Sequence, residues 1–381
     1  MRFRDIIGHE AIKHKLIQTV KDNRVSHAQL FLSPESSGGL ALALAYAQYI
    51  NCVSKLDDDS CGECSSCRKY SKIIHPDLHF SFPFFAKVAK ETTLDYIANW
   101  RQAFLGNPYL SLDYWREFVK AENKQANINI AECHQIIQSL SLKPFEAEYK
   151  VLIMWLPEYL GKNGNALLKL IEEPAQKTLF LLVAQSQDQI LTTILSRTQL
   201  VKINRPTEKD VSDFLVQKHA MNAEQANQIA FISDGHIEKA LSLIEEKFDS
   251  NFYTIFRAWI LLCYKDDGLN LIDQVEKDFS KMGRETQKSF LLYAINIMRE
   301  VVLIKNGLRQ MVHLTGAEET LAERFADLFS HAQIEATVSL FEEASYNIER
   351  NANPKILFLD VSLQLILLFK YQTFPKGTQY I

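Results

Sequence analysis

A chain of 381 residues with 47% hydrophobic side chains has room and apolar mass for two or three packed domains. Its formal net charge of −4 excludes a blanket basic footprint for nucleic acid, so in a DNA-bound assembly other subunits would do most of the gripping. The polar start Met1-Arg2-Phe3-Arg4-Asp5 excludes a signal peptide; the longest apolar stretch, Ile356 to Phe369, carries Asp360, Ser362 and Gln364 and reads as a buried helix too short to span a bilayer, so a cytoplasmic chain with no membrane partner is expected.

To about Asn204, apolar strand-like runs alternate with helical segments. The strands are expected at Ala28–Leu32, Leu78–Phe82, Val151–Trp155, Phe180–Ala184 and Gln199–Ile203. The helices are expected at Glu10–Lys21, Leu40–Asn51, Ala131–Leu140, Asn165–Glu172 and around Asp188–Leu195. This alternation predicts a mostly parallel α/β sheet. The first strand runs into Ser33-Pro34-Glu35-Ser36-Ser37-Gly38-Gly39-Leu40 and then a helix, the setting of a phosphate-binding loop. A working loop needs a Lys for the β/γ-phosphates and a Ser/Thr hydroxyl for Mg²⁺, and those two positions hold Gly39 and Leu40. An ordinary Gly/Ser turn is the other reading of the same residues.

Cys52, Cys61, Cys64 and Cys67 follow within sixteen residues. Thiolates so spaced can close a tetrahedron around a structural Zn²⁺, with bonds of about 2.3 Å and no open position. Disulfides, free thiols or a redox Cys-x-x-Cys are the alternatives, disfavoured by a reducing cytosol and by the fourth cysteine. His75 and His79 lie nearby and read as non-ligands; Cys133 and Cys263 read as packing residues. Phe80–Trp115 is rich in aromatics (Phe82, Phe84, Phe85, Tyr96, Trp100, Phe104, Tyr109, Tyr114, Trp115) and is either an inserted element or a contact surface for a partner.

Further on, Val151-Leu152-Ile153-Met154 ends in Trp155-Leu156-Pro157, with no carboxylate before Glu158 to hold Mg²⁺, and Phe180–Val183 ends in Ala184, which cannot sense a γ-phosphate. Arg205-Pro206 breaks the alternation. Thr207 with Asp210 resembles a capping box opening a small helical domain, with helices at about Glu208–Lys218, Ala223–Ile232 and His236–Glu246. From Phe248 the spacing predicts only helices, at Phe252–Tyr264, Thr286–Lys305, Glu318–Phe329, Ile334–Glu349 and Pro354–Tyr371.

Gly164-Asn165-Ala166-Leu167-Leu168-Lys169-Leu170-Ile171-Glu172-Glu173-Pro174 resembles the NALLKxLEEP helix of bacterial clamp-loader AAA+ subunits. Thr193-Ile194-Leu195-Ser196-Arg197-Thr198 is similar to their TILSRC segment, Phe3–Glu10 to their FxDIIGQE opening, and Arg24-Val25-Ser26-His27-Ala28 to their lead into the first strand. The cysteine cluster falls before His75-Pro76-Asp77, as in that family. These matches cover most of residues 1–240; the rest matches only in helical character and in Asn351-Ala352-Asn353-Pro354-Lys355.

The resemblance implies an α/β AAA+ P-loop-type domain over 1–206 with the zinc module at 52–67. A helical lid follows over 207–247 and an all-α collar for oligomerisation over 248–381. It also implies a non-ATPase stator that binds no ATP, in a heteropentamer with the gamma/tau and delta subunits of DNA polymerase III, placing the sliding clamp on primer-template DNA. Related modules often carry an Arg near Gly235–Ala240 to meet the phosphates; Glu238 there would repel them. The arginine finger of the Ser-Arg-Cys motif maps to Arg197, beside Ser196, with Thr198 replacing Cys. Two alternatives stand: an active ATP-hydrolysing subunit of the gamma/tau type, opposed by Gly39, Leu40 and Trp155, and a zinc element that binds nucleic acid, weakly supported by the mixed charge of Lys55–Asp59 and Arg68-Lys69.

Overall fold

The computed structural model describes residues 1–371 apart from 89, 122–123, 246–251, 313 and 315. The chain forms two compact units, Met1–Ala240 and Leu241–Ile381. The segment expected as a lid is divided between them, and the boundary expected at 247/248 lies outside the described residues.

The first unit is built on five parallel strands: β1 (Ala28–Leu32), β2 (Leu78–Ser81), β3 (Lys150–Trp155), β4 (Thr178–Ala184) and β5 (Gln199–Lys202), in the order β2-β3-β4-β1-β5. Strands β3 and β4 are buried along their whole length, as apolar runs covered on both faces must be. The two-residue period of the strands sorts their side chains between two cores. Phe31, Val151, Ile153, Leu181 and Val183 face the helix Gly39–Ile50 and the aromatic segment. Leu30, Leu152, Met154, Phe180 and Leu182 face the helices Ile130–Leu140 and Leu168–Glu172. At the edge, β5 exposes Gln199, Leu200 and Lys202, polar on two of three positions, which blunts pairing with another chain.

Most rings of the aromatic segment pack inward. The segment folds into the helices Ile97–Gly106 and Leu112–Phe118, and Phe82, Phe84, Trp100, Phe104 and Trp115 are wholly buried. Phe82 stacks on Trp100 with ring centroids 4.1 Å apart, and Trp115 meets Trp100 edge-on at 5.4 Å. Such pairs add to the burial of large apolar area, so this segment is a main source of core.

Two helices differ from expectation. The run before Glu172 is a tight 3-10 stretch, Pro157–Leu167, broken at Gly161 (φ 48°), and only Leu168–Glu172 is α-helical. Near residue 190 the helix shrinks to Thr192–Leu195. The capping box is present: the Asp210 carboxylate accepts from the Thr207 amide at 2.9 Å, and Thr207 Oγ1 accepts from the Asp210 amide at 3.2 Å. It opens Glu208–His219, followed by Ala223–Ser233 and by Ile237–Glu245, which crosses into the second unit.

Asp77 is fully buried and accepts the backbone amides of Phe145, Glu146 and Ala147 at 2.6, 2.8 and 2.9 Å. Burial pushes its carboxyl up, but the amide bonds together outweigh that and hold it below the ordinary range. The lowered folded value means this stabilisation is complete above the unfolded aspartate value of about 3.9 and is lost as pH falls through the folded one. Asp77→Ala orphans three amides and is expected to cost about 3 kcal/mol or more, read as a shift in the denaturant midpoint at pH 7; a shift under about 1 kcal/mol contradicts it.

In the second unit the expected helices are present, together with Gly268–Gln274, too short to show a period, and a π-turn at Val275–Phe279. Its core centres on Trp259, whose indole N–H donates to Ser362 Oγ at 2.8 Å, and on Phe279 stacked on Phe358 at 4.2 Å. That bond explains a serine inside an apolar helix. The helix Pro354–Tyr371 is not buried all round, since Ile356, Leu363 and Leu367 are exposed. No helix among the described residues is long and apolar enough to cross a membrane.

Candidate functional site

The loop Ser33–Leu40 is closed from inside. Gly39 approaches the end of β1 so nearly that an added Cβ would lie 2.4 Å from Ser33 Cβ, a distance no side chain tolerates. Ser33 and Ser37 hydroxyls bond to each other at 2.8 Å, and His9 Nε2 sits 2.7 Å from the Ser37 carbonyl. Over the loop lies Glu238. Its Oε2 accepts from Ser36 Oγ at 2.9 Å and its Oε1 from Ser111 Oγ at 3.2 Å, while the next amide back, Ile237 N, donates to the Ser36 carbonyl at 3.3 Å. Burial pushes the Glu238 carboxyl up, and the two serine hydroxyls partly offset this. Gly235 makes the approach possible: at φ 75°, a Cβ there would meet the Pro206 carbonyl at 2.6 Å. The Tyr109 ring covers Gly38, and its hydroxyl accepts from the Ile7 amide at 3.0 Å.

The remaining cavity over the loop is about 20 Å³, enough for roughly one water. Trp155 fills the end of β3, its ring 5.3 Å from Trp100. Glu158, the first carboxylate after β3, spends Oε1 on the amides of Gln185 and Ser186 at 2.6 and 2.9 Å. It therefore ties down the end of β4. Glu238 stands at the loop as expected, and its carboxyl is held there by Ser36 and Ser111. Tyr109 and Ser111 were missed by sequence reasoning because no motif marks a contact made 127 residues away from its partner, as between Ser111 and Glu238.

The cysteines converge as their spacing suggested. The sulfurs of Cys52, Cys61, Cys64 and Cys67 all lie within 4.8 Å of one another, and all four thiols are free. Cys52 and Cys61 are 3.5 Å apart and Cys61 and Cys67 3.9 Å, far beyond a disulfide bond and close to the roughly 3.8 Å edge of a tetrahedron with 2.3 Å metal–sulfur bonds. The amides of Cys61, Cys64 and Cys67 each donate to a preceding sulfur at 3.3 to 3.4 Å, the outer support a thiolate set needs. His75 is turned away: Nδ1 accepts from the Asp77 amide at 3.1 Å and Nε2 lies 3.3 Å from Glu146. Cys133 and Cys263 are buried elsewhere.

Arg197 lies in the turn between Thr192–Leu195 and β5, far from its own chain's loop in sequence and not among the residues lining the cavity. Its Nη1 donates to the Thr193 carbonyl at 2.8 Å and to Ser196 Oγ at 3.1 Å, and Nη2 pairs with Glu172 Oε1 at 2.7 Å.

The family model described as "DNA polymerase III, delta subunit" matches residues 8–207, more than half the chain. The chain belongs to this clamp-loader family. Curated relatives include the tau subunit of DNA polymerase III from Bacillus subtilis (strain 168), 22% identical over 380 residues, 94% of this chain and 60% of that protein. The delta' subunit of Haemophilus influenzae is 26% identical over 268 residues, 70% of each chain. That of Escherichia coli (strain K12) is 25% identical over 231 residues, 61% of this chain and 58% of that one. The chain thus spans about 60% of the length of the Bacillus tau subunit. A solved Bacillus subtilis clamp-loader delta protein aligns over 93% of this chain and 99% of its own, at 14% identity and a TM-score of 0.33. In this clamp-loader chain the first unit is the expected parallel α/β sheet with a strand–loop–helix at Ser33–Leu40, and the second unit is helical among the described residues.

Proposed function

We propose that this protein is a stator of the delta-prime kind in a DNA polymerase III clamp loader. It stands in a cytoplasmic ring with gamma/tau and delta subunits, helps place the sliding clamp on primer-template DNA, and hydrolyses no ATP itself. The observation that carries this reading is the Glu238 carboxylate bonded to Ser36 above a loop whose Lys and Ser/Thr positions are Gly39 and Leu40. A triphosphate there would meet a carboxylate, find no lysine at position 39 and no hydroxyl at position 40, and have only about 20 Å³ of open cavity to enter. Arg197 is the finger offered to the neighbour's γ-phosphate, its planar, permanently charged fork suited to phosphate oxygens. Calorimetric titration of the full-length protein with ATP and Mg²⁺ is expected to show no binding up to millimolar ATP. Tight, Mg²⁺-dependent binding supports the other reading, an active gamma/tau-type subunit, which the 94% coverage by the Bacillus tau subunit keeps in view.

The four cysteines hold a structural Zn²⁺ in this reading, and the second unit carries assembly. On the helix Pro354–Tyr371 the exposed Ile356, Leu363 and Leu367 lie 7 and 4 residues apart, one stripe along the helix. The double substitution Leu363→Asp, Leu367→Asp is expected to abolish entry into the ring while leaving the helical circular-dichroism signal intact. Recovery of the variant in a full-size complex by size-exclusion chromatography contradicts this placement.

A further inference from the structure

We propose that Glu172 is the positioning residue for the Arg197 guanidinium, holding it in a donating posture until a neighbour's phosphate oxygen takes the carboxylate's place. The inference rests on the reading of Arg197 as a finger in trans. The donors of this guanidinium are divided between two anchors. Nη1 is spent on its own turn, on the Thr193 carbonyl and Ser196 Oγ. Nη2 reaches across to Glu172, the last residue of the helix Leu168–Glu172, at 2.7 Å. Nε is buried and has no hydrogen-bond partner. A planar group held at two of its nitrogens has its plane fixed; held at Nη1 alone, it can swing.

The two anchors differ in how readily they release. The bonds to Thr193 and Ser196 are local to the turn and cannot leave it. The Glu172 side chain is half exposed, 52%, against 30% for Arg197, so their ion pair faces water and is exchangeable. Carboxylate and phosphate oxygens accept from the guanidinium fork in similar geometry. A phosphate arriving from a neighbour therefore finds Nη2 already aimed. The adjacent Glu173 has no such bond to Arg197 and serves as the control.

The test uses the reconstituted ring with the ATP sites not facing Arg197 silenced through their P-loop lysines, and reads kcat and KM for ATP. Glu172→Ala is expected to lower kcat about tenfold with KM unchanged, because the guanidinium must then be oriented during the reaction instead of before it. Glu172→Gln is expected to retain most of the rate, because its amide oxygen accepts the same bond, and Glu173→Ala to match wild type. In the Arg197→Ala background, Glu172→Ala is expected to cost nothing further. If Arg197→Ala slows turnover but Glu172→Ala does not, or if Glu172→Ala costs as much without Arg197, the positioning role is wrong and the finger stands. If Arg197→Ala itself has no effect, the finger reading fails and this inference with it.

Discussion

With Arg197 as the proposed finger, its replacement by alanine is expected to leave the ring assembled and to slow ATP turnover at the neighbouring site by about 10³-fold or more. Arginine fingers in the best-studied phosphoryl-transfer enzymes are worth roughly 10³–10⁵ in rate. Against this, the structural cost is small. The side chain sits in a surface turn, and its ion pair with Glu172 is partly exposed, a class of interaction worth about 0–1 kcal/mol. Effects on rate and on folding therefore separate cleanly. In the intact complex the other sites continue to turn over, so total DNA-dependent ATPase falls by the share of one site and by whatever coupling joins it to the rest. Unchanged DNA-dependent ATPase in the mutant ring would remove the assignment.

If the four cysteines hold the proposed zinc, stripping it is expected to have the largest effect on the folded chain. The segment that carries the cysteines has little regular structure, one seven-residue helix, Ser65–Ser71, and otherwise irregular backbone. Structural zinc contributes about 10–16 kcal/mol of apparent binding free energy in small finger peptides at pH 7, and less where, as here, part of the segment packs on a preformed core. Cys52 and Cys67 are buried, and Asp59 accepts the amides of Phe3 and Arg4 at 3.0 and 3.1 Å. Collapse of the module thus frees the N-terminal turn as well. The expected result is one zinc per chain by atomic emission, four thiols that react with an aromatic disulfide only after chelation, and a melting temperature lowered by the chelator. Four freely titrating thiols in a metal-free, unaltered protein would overturn the metal assignment. Because thiolates must be unprotonated to bind, acid should release the metal as well.

What could be read from the residues was what is written locally. Val151–Trp155 and Phe180–Ala184 are apolar runs whose burial on both faces follows from their composition, and the strands came out within two residues of expectation. The cysteine spacing and the Thr207 cap are also local devices. The aromatic segment was ambiguous for a physical reason: Trp and Tyr suit both interfaces and cores, and only the packing of Trp100 against Phe82, Trp115 and Trp155 decides between them. Glu238 was placed near the loop, but its bond to Ser36 was not legible, because the two lie 202 residues apart and no periodicity reports such a pairing. The 3-10 stretch Pro157–Leu167 was misjudged at its end since Asn165, Ala166 and Leu167 suit either kind of helix.

The distance between Gly39 and Ser33 bears on reversal. A lysine written back at position 39 would have to push aside the end of β1, whose Ser33 amide is bonded to the Ala184 carbonyl at 2.8 Å. Leu40 is itself buried in the core, so a hydroxyl at that position would start from an apolar setting. A side chain at position 39 therefore cannot be added without moving the strand end, and a single substitution there is expected to disturb the sheet before it provides a phosphate ligand.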